Sequence, residues 1–62
     1  MPDVPQVKIL EAVKGLILAA GVAANVGQAD IRSAASTLAR QYGVAHHRQV
    51  EAEIARHLRN RG

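Results

Sequence analysis

The side chains best suited to chemistry are three histidines, His46, His47 and His57, set among glutamates. His47 and Glu51 lie four residues apart, as do Glu53 and His57, so on a helix each pair shares a face and supplies two ligands. A zinc site normally needs at least three protein ligands, and neither an H-E-x-x-H arrangement nor a further acidic cluster completes one. Ion pairing, capping and partial burial are the roles expected of these histidines. Ser33, Ser36 and Thr37 have no nucleophile elbow around them, and a chain of 62 residues has little room for a pocket of ~300 Å³. The Gly-rich segment Gly21–Ala29 carries neither a G-x-x-x-x-G-K-[ST] nor a G-x-G-x-x-G spacing, and no strand precedes it. The chain is therefore not expected to be an enzyme or to hold a metal or cofactor.

Charge points elsewhere. The formal net charge is +3, and it is unevenly distributed. Residues 1–31 place Lys8 and Lys14 against Asp3, Glu11 and Asp30, a balance of −1, whereas residues 32–62 place six arginines against Glu51 and Glu53, a balance of +4. Arginine is the side chain whose planar fork suits phosphates and guanine edges. A basic second half built on arginine implies a nucleic-acid partner, with simple solubility as the bland alternative.

The elements that must position these groups follow from apolar periodicity. Ile9, Leu10, Val13, Leu16, Ile17 and Ala20 recur at helical spacing and predict a first helix over residues 4–20, with Asp3 as cap, Gln6 in capping-box position and Gly21 as terminator. Val7 and Leu18 fall off that stripe and are candidate contacts for a protein partner. Gly21–Ala29 reads as a connection, with Val22 or Val26 folding back, or with a helical turn inside it. Asp30 then caps a second helix over 30–42, whose inward stripe is Ile31, Ala34, Ala35, Leu38 and Tyr42 and whose far face holds Arg32, Ser33, Ser36, Thr37 and Arg40. Gly43 ends it, and Val44 points inward from the turn. A third helix over 46–60 turns His47, Val50, Ile54 and either His57 or Leu58 inward, and Arg48, Ala52, Ala55, Arg56 and Arg59 outward.

The result is a single all-α domain spanning residues 1–62, a small three-helix bundle with a thin aliphatic core, since Phe and Trp are absent and Tyr42 is the one aromatic. With no cysteine to staple so small a core, a homodimer is expected. No basic start followed by an apolar run marks a signal peptide. The longest uncharged stretch, Gly15–Ala29, falls short of the ~20 apolar residues of a membrane span. A cytoplasmic protein without membrane contact is the expectation.

The segment Leu38-Ala39-Arg40-Gln41-Tyr42-Gly43-Val44 resembles the middle of helix-turn-helix regulators. There a small residue, here Ala39, stands four positions before a turn glycine, here Gly43, with apolar residues at the places of Leu38, Tyr42 and Val44. The family's next inward residues would fall at Gln49 and Ala52, whereas this chain offers Val50 and Ile54, about one position later. The resemblance implies that the third helix enters the major groove of duplex DNA and that His46, His47, Arg48 and Gln49 face the bases. Arg32, Arg40, Arg56, Arg59 and Arg61 would then reach phosphates, in a DNA-binding transcriptional regulator. The competing expectation is a helical protein-interaction module, an adaptor, anti-activator or docking domain, contacting its partner through Val7 and Leu18. RNA is a third ligand class, reached through the tail Arg56–Gly62, but the chain lacks aromatics to stack bases.

Overall fold

The computed structural model describes residues 3–61, with side chains through Asn60, and is an all-α bundle of three helices. Helix α1 spans Gln6–Ala20, a 3-10 turn spans Ala23–Asn25, α2 spans Gln28–Gln41 and α3 spans His47–Arg61. Of these, α2 and α3 pack together most extensively, and α1 lies across both.

Ten apolar residues form one core: Val4, Ile9, Val13, Ile31, Ala35, Ala39, Val44, Val50, Ile54 and Leu58. Among the described residues, no polar side chain is buried with them. Ile9, Val13, Val50 and Ile54 are the largest of the fully buried side chains, and burying each contributes roughly 1.5–3 kcal/mol. Ala35 and Ala39 are as deeply buried as these larger residues, so α2 meets its neighbours through methyl groups at close range. Ala39 is absent from the expected inward stripe of the second helix, although its smallness belongs to the turn pattern. Leu10 departs the other way: expected inward, it lies at the edge of the stripe and is exposed. Val4 takes a core place from the segment ahead of α1.

Helix ends follow glycine, and helix starts do not follow aspartate. Gly21, at φ 93°, donates its N–H to the Ile17 carbonyl (2.7 Å) and ends α1. Gly43, at φ 67°, donates to the Arg40 carbonyl (3.3 Å), and Val44 donates to Ala39 (2.9 Å), a Schellman pair that folds Val44 back onto α2 and into the core. Asp3 and Asp30 are not the caps expected of them. Pro5 precedes α1, its carbonyl accepting from Lys8 and Ile9, and the Asp3 carboxylate instead accepts from the Val4 N–H and from His46. Gly27 precedes α2, so Asp30 lies within the first turn, where a carboxylate favours the positive end of the helix dipole. Between α1 and α2 the chain makes the short 3-10 turn, Val26 packs against the core, and Val22 stays exposed.

Candidate nucleic-acid interface

Helix α3 turns Val50, Ile54 and Leu58 to the core, so Leu58 and not His57 completes its inward stripe. The opposite side is set by the same 3.6-residue period. Arg48, Ala52, Arg56 and Arg59 are exposed there, with Ala55 half-buried at the margin. Among the described residues, no carboxylate lies within ion-pair distance of Arg48, Arg56 or Arg59. Ala52 lines two depressions beside this ridge. One, of about 610 Å³, lies between α2 and α3 and is lined by Gln28, Arg32, Ser36, His47, Arg48, Glu51, Ala52 and Ala55. The other, about 390 Å³, is lined by Gln49, Ala52, Glu53, Arg56 and Arg59.

The residues singled out in the sequence thus divide. Arg32, His47 and Arg48 share the α2–α3 groove, and Gln49, Arg56 and Arg59 share the open side of α3. Arg40 lies near the end of α2, where its Nε donates to the Ser36 carbonyl at 3.4 Å. His46 is drawn away from the groove, its Nε2 3.3 Å from Asp3 Oδ1. The side chain of Arg61 lies outside the described residues. Val7 and Leu18 are exposed on α1, at 58 % and 74 %.

Gln28 went unnoticed as a site residue in the sequence, and Glu51 was weighed there only beside His47 as a metal ligand. Gln28 donates through its side-chain amide to Glu51, and Glu51 also stands 3.7 Å from the Nε of Arg32. These partners are 23 and 19 positions from Glu51, a separation at which no local pattern announces a contact. Their effect is to offset one of the candidate arginines. Thr37 uses its hydroxyl on the Ser33 carbonyl (2.9 Å), so that hydroxyl on the far face of α2 is engaged with its own helix.

The other histidines serve the fold. His46 holds Asp3, and the side-chain amide of Gln6 donates to His57 Nε2 at 2.6 Å, so residues 3–6 are fastened once to the residue ahead of α3 and once to α3 itself. The hydrogen bond from His46, then that from the Val4 N–H, holds the Asp3 carboxyl below its ordinary value. No group of three or more histidines or carboxylates with metal-site geometry occurs among the described residues, and no helix among them is long and apolar enough to cross a membrane. No protein-family model, no curated protein and no solved structure matches the chain.

Proposed function

We propose that this chain is a small duplex-DNA-binding protein, a transcriptional regulator acting as a homodimer, that seats α3 in the major groove. The observation that carries the reading is the exposed row of Arg48, Arg56 and Arg59 on one side of α3, free of ion pairs among the described residues and interleaved with Ala52. Small residues admit the sugar-phosphate walls, and the arginines reach phosphates or guanine edges. Gln49 and Ala52 are exposed here at the two positions where helix-turn-helix proteins turn apolar residues inward. A connection of Tyr42–His46, with α3 beginning at His47, is compatible with a turn one residue longer than that family's. Arg48 and Gln49 are the base-facing residues in this reading, His47 lines the groove beside them, and His46 braces the N-terminal segment.

The test is a gel-shift titration with mixed-sequence duplex across a salt range. Each phosphate contact adds about −0.9 to the log–log salt slope, so Arg56 and Arg59 from both copies of a homodimer give a slope of about −3.6. Reversing Arg48, Arg56 and Arg59 to glutamate abolishes the shift while circular dichroism stays helical. Absence of binding at low salt, or binding indifferent to the triple reversal, overturns the proposal and favours a helical protein-interaction module. What supports that second reading is the apolar exposure of Val7 and Leu18 on α1.

A further inference from the structure

The outward side of α1 has an order that a general sticky patch would lack. Val7, Glu11, Lys14 and Leu18 recur at spacings of four, three and four, which on a helix places them within an arc of about 60°, away from the buried Ile9 and Val13. All four are exposed, and Leu10 borders them at 37 %. Read along the helix, the seam runs apolar, acidic, basic, apolar. Read from the other end it runs apolar, basic, acidic, apolar, so the seam is complementary to itself when two copies run in opposite directions.

We propose that a second copy of this chain docks on this face, α1 against α1, antiparallel about a twofold axis. Val7 then meets Leu18 of the second copy, and Glu11 meets its Lys14, each pair occurring twice as an isologous contact requires. A parallel pairing would instead set Glu11 against Glu11 and Lys14 against Lys14, so charge selects the direction. Within one copy Glu11 pairs at 3.6 Å with Lys8, and Lys14 has no carboxylate at ion-pair distance among the described residues. Docking supplies Lys14 with one. A helix of 15 residues offers a seam of about 22 Å, a small interface that forms a reversible dimer. The seam contains no residue of α2 or α3, so the dimer gives the homodimer named above an interface and stands whether or not α3 binds DNA.

Sedimentation equilibrium on the full chain from roughly 10 to 500 µM tests it, the range in which an interface this small dissociates. The intact chain is expected to show a monomer–dimer equilibrium, and Leu18→Glu to weaken it at least about tenfold. Glu11→Lys and Lys14→Glu each weaken it as well, and the combined E11K/K14E variant restores it. The positions are exposed, so circular dichroism and melting temperature report that each variant is folded. The chain lacks cysteine, so Val7→Cys and Leu18→Cys variants mixed in equal amounts and oxidised report direction: the mixed Val7–Leu18 crosslink exceeds both self-crosslinks. A monomer throughout the range, a dimer untouched by Leu18→Glu, a combined charge swap no better than the single ones, or dominant self-crosslinks overturns the proposal.

Discussion

Arg32 of α2 and Glu51 of α3 stand 3.7 Å apart, with the guanidinium largely open to solvent and the carboxylate side chain only 19 % exposed. An ion pair this open contributes little to stability. Its weight falls on the charge presented to a ligand, because Glu51 faces the same groove as Arg48 and lowers the potential there.

Glu51→Gln keeps an acceptor for Gln28 while removing the carboxylate from Arg32. Under the DNA-binding proposal, duplex affinity at low salt rises about three- to tenfold and the log–log salt slope steepens by about 0.9, one additional phosphate contact. Arg32→Ala alone changes binding less than Arg48→Ala. Filter binding across a salt series checks both, and equal affinity of Glu51→Gln and the parent chain would show that Arg32 takes no part.

Ile54 has no exposed surface and touches a core with few large members. Truncation to alanine is expected to cost about 2–5 kcal/mol, against a total of roughly 3–9 kcal/mol for a chain of this length. Urea titration followed by circular dichroism measures the loss. A cost below about 1 kcal/mol would mean that the core collapses around the vacancy more freely than close packing allows.

Two glycine-to-alanine changes are expected to act in opposite directions. Gly43 sits at φ 67° with open space around a would-be Cβ, so Gly43→Ala destabilises by ~1–2 kcal/mol through backbone conformation alone. Gly15 lies inside α1, also with nothing within 4 Å of a would-be Cβ, and Gly15→Ala stabilises by ~0.5–1 kcal/mol. Thermal melts of both variants give the comparison, and a shift of the same sign for the two would refute it.

Asp3 contributes to the pH dependence of stability. Its carboxyl is held below the ordinary value in the folded chain, so the unfolded chain takes up its proton first as pH falls. The stabilisation is therefore complete above the unfolded carboxylate value and is lost as pH drops through the lowered folded one. Replacing Asp3 by asparagine flattens this part of the acid limb of melting temperature against pH. Superimposable acid limbs for the two chains would remove Asp3 from the account.

Three helices were legible because each carries its own stripe: Ile9 and Val13, Ile31 and Ala35, Val50 and Ile54. Gly21 and Gly43 marked ends for a local reason, the left-handed turn that glycine accepts without strain. Helix starts were misread because an aspartate ahead of an apolar run has more than one use, and Asp3 bonds to a histidine 43 positions away. Gln6 with His57 and Gln28 with Glu51 are similar. The arginine row of α3 was readable from period alone, whereas the offset of Arg32 by Glu51 depends on how α2 and α3 face each other.

Tyr42 is the only aromatic residue in the chain, half-buried against the core and one position ahead of Gly43. The protein consequently has a built-in optical reporter at the joint between α2 and α3. Tyrosine emission follows that joint without label or substitution, and with no tryptophan to absorb its energy the signal belongs to one place in the fold.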